Sequence, residues 1–151
     1  MPIRFFSEEI DFKVKNPRKI SQWLSRSAKN ERREIAEISF IFCSDGYLLN
    51  LNQEYLHHNT LTDIITFDYS AGKSLVGDIY ISVDRVSENA SSYQSGFDLE
   101  LKRVMIHGVL HLCGYKDKKP SDVTVMRKKE GAYLSLWKNM FHVKPKASKE
   151  A

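Results

Sequence analysis

Hydrophobic residues recur along the chain at intervals that predict short strands and amphipathic helices. Residues 10–15 alternate strictly between apolar and polar side chains, which predicts a half-buried strand. Asn16 and Pro17 then predict the start of a helix, with Asn16 as N-cap and Pro17 at the first helical position. In that helix we expect an apolar stripe to face the core and a second stripe to face solvent. The apolar stripe contains Ile20, Trp23, Leu24 and Ala28, and the polar one Arg18, Gln22, Arg26, Lys29 and Arg33.

The middle of the chain is expected to supply the remaining strands. Residues 38–43, 64–67 and 76–83 are apolar or alternating and predict three strands. Ser44 is a suitable N-cap for a helix that ends near Tyr55, and a loop is expected at residues 57–60. Residues 84–95 suit a polar surface helix that Gly96 closes.

The second half of the chain predicts two long helices. The first runs from an N-cap at Asp98 to Cys113. Apolar residues surround it almost completely, so this helix should be buried on most sides. Gly114 should end the helix in the left-handed conformation. Pro120 opens the second helix, which continues through Trp137. Strands and helices do not alternate regularly, so the fold class is α+β, with a small mixed β-sheet packed against helices. We expect a single domain over residues 1–142 and a disordered basic tail over residues 143–151.

Composition supports a globular protein and excludes several classes. The chain is 42% hydrophobic and 28% charged, which excludes a disordered or low-complexity protein. No apolar run is long enough to span a membrane, and the first residues lack a signal-peptide pattern, so we expect a cytoplasmic protein with no membrane association. Cys43 and Cys113 are too few for a disulfide framework and are expected as reduced thiols in the core.

Positive charge is unevenly distributed, which suggests a polyanionic partner. The net charge is +4, yet residues 116–151 alone carry +6, and residues 13–33 form a second basic stretch. Basic surfaces attract nucleic acids by Coulomb forces and by the release of counterions. An ordinary solvated surface is the alternative interpretation. The candidate RNA-binding residues are Arg18, Arg26, Lys29 and Arg33 on the first helix, with His57 and His58 in the loop.

A histidine pair on the buried helix predicts a metal site. His107 and His111 are four residues apart, so they lie on one helical face and can both reach one zinc ion. Gly114 follows three residues later and Asp117 three residues after that. In this pattern the helix ends at the glycine and the chain turns back, so that Asp117 can supply a third ligand. The spacing is that of the metzincin zinc motif with an aspartate as the last ligand. A purely structural histidine pair is the alternative.

Three protein ligands would leave a fourth coordination position open, which is the pattern of a catalytic site rather than a structural one. The metal would lower the pKa of a bound water toward about 7, and this metal-bound water is the first catalytic candidate. The glutamate of the protease motif H-E-x-x-H is absent because residue 108 is glycine, so a standard metalloprotease is disfavoured. We expect Gly108 to leave room beside the metal for a bulky substrate. Asp63 and Glu130 are weaker catalytic candidates, with a self-capping turn and a surface charge as their alternatives.

Five segments of the chain have the form of a family signature. Residues 107–115 read His-Gly-Val-Leu-His-Leu-Cys-Gly-Tyr, and the others are Leu51–Tyr55, Thr62–Phe67, Val76–Ile79, and Met126 with Glu130. In the same order they resemble the signatures of the YbeY family of bacterial ribosomal RNA maturation factors. Those signatures are H-G-x-L-H-L-x-G-Y for residues 107–115 and L-N-x-x-Y, T-D-V-L-S-F, L-G-D-I and M-x-x-x-E for the others. The similarity covers roughly residues 48–130.

The resemblance implies a zincin-like fold, one bound zinc ion, and His107 and His111 as metal ligands. It also implies an endoribonuclease that acts on single-stranded RNA in ribosomal RNA processing, including maturation of the 3′ end of small-subunit rRNA, and in ribosome quality control. Two residues depart from the family pattern. Asp117 replaces a third histidine, and a carboxylate makes a site less strictly selective for zinc. Leu56 stands where the family usually has an arginine thought to contact phosphate.

Two functional hypotheses follow, with a third less favoured. The first is a zinc-dependent endoribonuclease that holds single-stranded or ribosomal RNA on its basic surface. The second, which the missing arginine at position 56 motivates, is a non-catalytic ribosome-assembly factor with a structural metal that binds rRNA or a ribosomal protein. Partners would be ribosomal subunits or ribosome-associated proteins in both cases. Hydrolysis of a peptide or small molecule is the third hypothesis, and the absence of a glutamate at position 108 argues against it.

Overall fold

A computed structural model describes residues 2–141, which form four strands and five helices. The predicted tail over residues 143–151 lies outside this range. No helix in residues 2–141 is both long enough and apolar enough to cross a membrane. The strands are β1 (Ile3–Ser7), β2 (Glu34–Cys43), β3 (Ile64–Asp68) and β4 (Ser74–Ser82), and the helices are α1 (Pro17–Asn30), α2 (Asp45–Leu56), α3 (Val83–Ser92), α4 (Phe97–Leu112) and α5 (Pro120–Met140).

The strands form one mixed sheet in the order β1-β2-β4-β3. β1 and β4 both run parallel to β2, whereas β3 pairs antiparallel with β4 at the sheet edge. The two central strands are the most buried, because they have a neighbouring strand on each side and helices pack on the sheet. This architecture confirms the predicted α+β class, with a small mixed sheet packed against helices.

The sheet buries its two faces unequally. The larger core lies on one face, where Phe40, Ile79 and their neighbours pack against α1, α4 and α5. A smaller cluster on the other face joins Leu48 of α2 to Cys43 and Ile65. Helix α4 crosses the larger core and buries residues on most of its sides, as predicted. The metal motif is therefore carried on a rigid, packed element.

The strand predicted at residues 10–15 is wrong. These residues form a loop, and the strand beside β2 is Ile3–Ser7 instead. The alternating apolar side chains Ile10, Phe12 and Val14 do pack against the core, but they do so from a loop that forms no strand of the sheet. The position next to β2 can hold only one strand, and β1 occupies it with a five-residue parallel register.

The helix caps agree with the prediction in part. Asn16 is the N-cap of α1 and Pro17 its first residue, as predicted, but Asn16 has φ 53° and its side chain makes no cap hydrogen bond. The N-cap of helix α4 is Gly96, two residues before the predicted Asp98. Asp98 lies in the first turn instead, where its negative charge interacts favourably with the helix dipole. Ser44 caps α2 as predicted, accepting a hydrogen bond from the backbone N–H of Tyr47 at 3.1 Å.

Gly108 serves helix packing rather than substrate access. A Cβ at this position would lie 3.0 Å from side-chain carbons of Ile64 and Ile79 on the sheet. The glycine therefore lets α4 approach β3 and β4 closely and faces the core. The expectation that it leaves room beside the metal is wrong, because its neighbour in that space is the sheet.

Candidate metal centre

Helix α4 carries a stripe of polar side chains among its many apolar ones. Glu100, Arg103, His107 and His111 follow each other at intervals of three, four and four residues, which places them on one helical face. Glu100 is only 3% exposed, so the stripe is largely internal. Buried charged groups are retained where they are paired or bind a cation.

The three predicted ligands converge on one point. The Nε2 atoms of His107 and His111 are 3.0 Å apart, and Oδ2 of Asp117 lies 3.1 Å from the first and 3.4 Å from the second. A tetrahedral ion with bonds of about 2.0–2.1 Å separates its ligand atoms by about 3.3 Å. The observed triangle therefore fits a small divalent metal ion without rearrangement, and no other group of this kind occurs in residues 2–141.

Asp117 reaches the histidines because α4 ends abruptly. Gly114 adopts φ 105°, a conformation that side chains disfavour. Its N–H donates to the carbonyl of His111 at 2.9 Å, and the N–H of Tyr115 donates to the carbonyl of Leu110 at 3.1 Å. This pair of bonds is a Schellman motif, which reverses the chain direction and returns Asp117 to the helix face.

Two residues that follow α1 hold this turn in place through hydrogen bonds. Glu31 is largely buried and accepts hydrogen bonds from the hydroxyls of Tyr115 and Tyr133 and from Nζ of Lys129. Burial alone would raise the pKa of Glu31, but these bonds hold it below its usual value. Arg33 adds a bond from Nη2 to the carbonyl of Cys113 at 3.1 Å. The turn that carries Asp117 is thus tied to α1 on one side and α5 on the other.

Glu130 supports His107 from behind. Its Oε2 lies 2.6 Å from Nδ1 of His107, and its side chain is 3% exposed. Burial would raise the pKa of Glu130, but the bonds with His107 and Arg103 lower it, so the carboxylate is ionised and can only accept. Nδ1 of His107 must then carry the proton, which leaves the Nε2 lone pair for a metal. A carboxylate behind a histidine ligand is the usual orienting partner in metal sites.

Arg103 connects the surrounding carboxylates. It donates to both oxygens of Glu100, at 3.0 and 2.6 Å, and to Oε1 of Glu130 at 3.2 Å. Asp63 lies further away, with its Oδ2 atom 3.8 Å from Nη2 of Arg103. The same Oδ2 atom accepts a hydrogen bond from the side-chain amide of Asn89 at 3.2 Å. Arg127 adds a weaker contact, with Nη1 3.9 Å from Oε1 of Glu130. With Asp117, four carboxyl groups surround the centre against two arginines, and this excess of carboxyl groups favours a divalent cation.

The pKa shifts agree with a ligand role for the second histidine. Burial and the neighbouring His107 lower the pKa of His111, which favours the neutral imidazole that binds metals. Burial also raises the pKa of Asp63, although Arg103 partly offsets the effect. The centre therefore combines a histidine whose neutral form is favoured with a carboxyl group whose pKa is raised.

The three candidate ligands lie in the wall of an open cleft of about 810 Å³. Asp63 and His58 line this cleft, as do the cations Lys118 and Arg127 and the apolar Leu56. Glu130 contacts His107 but is not part of the cleft lining, which suits a supporting role better than contact with a substrate.

The other candidate RNA-binding residues lie outside the cleft lining. Arg33 is engaged with the α4–α5 turn, and His57 is the left-handed C-cap of α2. Arg18, Arg26 and Lys29 belong to α1, which packs on β2, α4 and α5. Their contribution to RNA binding remains a prediction about a surface at some distance from the metal ligands.

Sequence reasoning missed Arg103, Glu100 and the Glu31 cluster. A signal existed for the first two, because the polar stripe interrupts an apolar helix at helical spacing. Glu31 had no such signal, since its partners Tyr115 and Tyr133 are 84 and 102 residues away in the chain.

The chain is similar to known proteins over most of its length. A family model described as "Endoribonuclease YbeY" matches residues 3–138. Proteins named "Endoribonuclease YbeY" from Flavobacterium psychrophilum and Christiangramia forsetii are 52% and 50% identical, over 92% and 93% of this chain and 96% and 95% of theirs. The solution structure of a Thermotoga maritima protein superimposes with a TM-score of 0.64 at 25% identity, covering 98% of this chain and 99% of that one.

Proposed function

This chain belongs to the YbeY family of endoribonucleases, and from that premise we propose that it is a zinc-dependent endoribonuclease that cuts single-stranded RNA. Its substrate would be ribosomal RNA, including the 3′ end of small-subunit rRNA, and it would serve rRNA processing and ribosome quality control in the cytoplasm. Ribosomal subunits or ribosome-associated proteins would be its partners.

One observation carries the proposal: three ligand atoms within 3.4 Å of each other in the wall of an open cleft. Two neutral imidazoles and one carboxylate are a ligand set that zinc accepts. The open side of the triangle faces a space large enough for a polymer segment, as a catalytic site requires. The family provides the reaction class, hydrolysis of an RNA phosphodiester bond.

Each group in the cleft has a chemical task. When bound by His107, His111 and Asp117, zinc supplies Lewis-acid activation of water and phosphate. Glu130 holds the proton on Nδ1 of His107 and so keeps Nε2 directed at the site. Asp63 lies in the cleft wall, and its raised pKa makes it our candidate for proton transfer.

Positive side chains in the cleft suit a phosphodiester substrate. Lys118 follows the third ligand directly, and Arg127 lies on α5, with 57% of its side chain exposed. His58 approaches from the loop after α2. Lys118 and Arg127 attract phosphates, and the basic face of α1 would extend the attraction beyond the cleft.

The test uses end-labelled single-stranded RNA, the same sequence in a duplex, and protein loaded with zinc. We expect cleavage of the single strand and little cleavage of the duplex. Asp117→Ala should lose both its metal, measured by elemental analysis, and its activity. Asp11→Ala changes an exposed aspartate that lines a different cavity and should retain both.

His107→Ala separates the enzyme from a contaminating nuclease. The variant should have no activity while its circular dichroism matches that of the parent. Cleavage by this variant at the parental rate would contradict the proposal, because the activity would then come from another protein in the preparation.

The non-catalytic assembly factor remains the alternative, because Leu56 presents an apolar side chain to the cleft. That hypothesis predicts salt-sensitive binding to ribosomal particles that persists in His107→Ala, without cleavage by the parent. Co-sedimentation of the parent and the variant with ribosomal subunits, beside the cleavage assay, distinguishes the two functions.

A further inference from the structure

Three tyrosines are similarly exposed, but one of them lies in the metal cleft. Tyr55, Tyr69 and Tyr93 are 59%, 58% and 56% exposed. Tyr55 packs edge-on against Phe67 with ring centroids 5.9 Å apart, and Tyr69 lies beside Asp78. Tyr93 instead lines the cleft that contains His107, His111 and Asp117.

The position of Tyr93 is fixed by the end of α3. Its N–H donates to the carbonyl of Asn89 at 2.9 Å, so the two side chains lie on one helical face. Asn89 binds Asp63 in the cleft wall at 3.2 Å. Tyr93 therefore lies one helical turn beyond Asn89, the residue that binds Asp63, and both Asp63 and Tyr93 line the cleft.

The ring of Tyr93 is available for a ligand. Within residues 2–141 it takes part in no aromatic pair and its hydroxyl in no side-chain hydrogen bond. Exposed tyrosines are common, so the exposure of Tyr93 alone carries no weight; what distinguishes it is its position in the cleft of the three candidate metal ligands. Its π-face can accept another flat group.

The cleft also holds the charges that accompany base stacking in single-strand sites. Lys118 and Arg127 reach it from the α4–α5 turn and from α5, whereas Tyr93 reaches it from α3. Proteins that bind single-stranded nucleic acid combine a positive groove with aromatic rings on which bases stack. The volume of about 810 Å³ falls within the range of small-ligand sites and suits a nucleotide.

We infer that Tyr93 is a stacking platform for one unpaired nucleobase of the RNA strand held at the metal centre, while Lys118 and Arg127 contact the neighbouring phosphates. The inference rests on the proposed function and names a subsite within it. A base in a duplex is already stacked and paired, so the platform favours single strands. Stacking tolerates any base, so the subsite selects for an unpaired base rather than for a sequence.

The experiment is an abasic scan on the zinc-loaded protein. Short single-stranded RNAs carry one abasic nucleotide at each position in turn, and kcat and KM are measured for the parent and for Tyr93→Ala. In the parent, one position near the cleaved bond should lose about 5- to 100-fold in kcat/KM when its base is missing. Tyr93→Ala should lose a similar factor on intact RNA and nothing further at that position, whereas Tyr93→Phe should keep the parental profile.

A second readout reports stacking directly. 2-Aminopurine at the sensitive position should be quenched on mixing with the parent, before cleavage, and not with Tyr93→Ala. Tyr69→Ala removes a tyrosine of equal exposure outside the metal cleft, and it should match the parent in both measurements. Because Tyr93 is exposed, circular dichroism should show an intact fold in every variant.

The outcomes separate this inference from the proposed function. If the parent cuts RNA and Tyr93→Ala retains the parental abasic profile and quenching, the platform is refuted and the endoribonuclease stands. If the parent neither cuts nor binds single-stranded RNA, the proposed function fails and the platform fails with it.

Discussion

Replacing Glu130 by glutamine tests whether this residue tunes the metal centre. Glu130 makes a 2.6 Å bond to Nδ1 of His107 at a site that is 3% exposed, so water cannot replace it. Glutamine keeps an oxygen acceptor but removes the negative charge. Charge-assisted bonds are roughly twice as strong as neutral ones, and loss of such an orienting partner weakens metal binding about 10- to 100-fold. We expect Glu130→Gln near the lower end, about 1.4 kcal/mol, and Glu130→Met near the upper end, about 2.7 kcal/mol.

The chain offers a matched control in Glu100. It is equally buried and binds Arg103 through both oxygens, but it makes no hydrogen bond to His107. Glu100→Gln should therefore lower the free energy of unfolding by about 1–3 kcal/mol, as Glu130→Gln should, while leaving the metal dissociation constant unchanged.

The assay is a competition titration with a chromophoric zinc chelator, repeated with Co²⁺ to follow the absorption of the ligand set. Urea unfolding of the metal-free proteins measures the structural cost separately. Equal loss of metal affinity in Glu100→Gln and Glu130→Gln would refute the reasoning, because it would trace the effect to the Arg103 network as a whole rather than to the imidazole of His107.

Three further predictions concern the fold around the site. Gly108→Ala should destabilise the protein, because overpacking against Ile64 and Ile79 costs about 1–3 kcal/mol and exceeds the helix-propensity gain of about 1 kcal/mol. Gly131→Ala should stabilise the protein by about 1 kcal/mol, because nothing lies within 4 Å of the new Cβ. Thermal unfolding of both variants measures the two opposite changes in stability. The lowered pKa of Glu31 contributes stability that is present above its unfolded pKa near 4.5 and is lost as the pH falls through the folded pKa. Urea unfolding below pH 4.5 should therefore show the parent losing more stability than Glu31→Gln. The same dependence of unfolding free energy on pH in both proteins would contradict this. Burial raises the pKa of Cys43 to about 12 and that of Cys113 to about 11, so both thiols stay protonated at pH 8. Neither thiol should react with iodoacetamide at pH 8 until urea unfolds the protein. Mass spectrometry of the native and unfolded protein measures the modification.

The elements that the sequence predicted correctly are those with a local cause. Helix α4 and its histidines were predictable because a spacing of four residues places two side chains on one face whatever the rest of the fold does. Gly114 and the position of Asp117 followed from the requirement for a left-handed residue at a helix end. The cap at Ser44 and the strands β2 to β4 were equally local.

The elements that it predicted wrongly depend on distant partners. Residues 10–15 have the alternation of a strand, but the single place beside β2 belongs to Ile3–Ser7, and only the assembled sheet decides between them. Gly108 appeared to open space near the metal, and the sheet that fills this space comes from β3 and β4. Neither outcome is encoded by the neighbouring residues along the chain.

The sequence by itself therefore determined which atoms can bind a metal, because helix geometry and one turn bring His107, His111 and Asp117 together locally. Only the tertiary structure decided how those atoms are held and what faces them. Glu130 is 23 residues from His107, and Asp63 is 26 residues from Asn89. Such pairs form because burial removes water from charged and polar groups, and these groups then need hydrogen-bond partners within the protein. Which residues supply those partners depends on the tertiary fold and not on the neighbouring sequence.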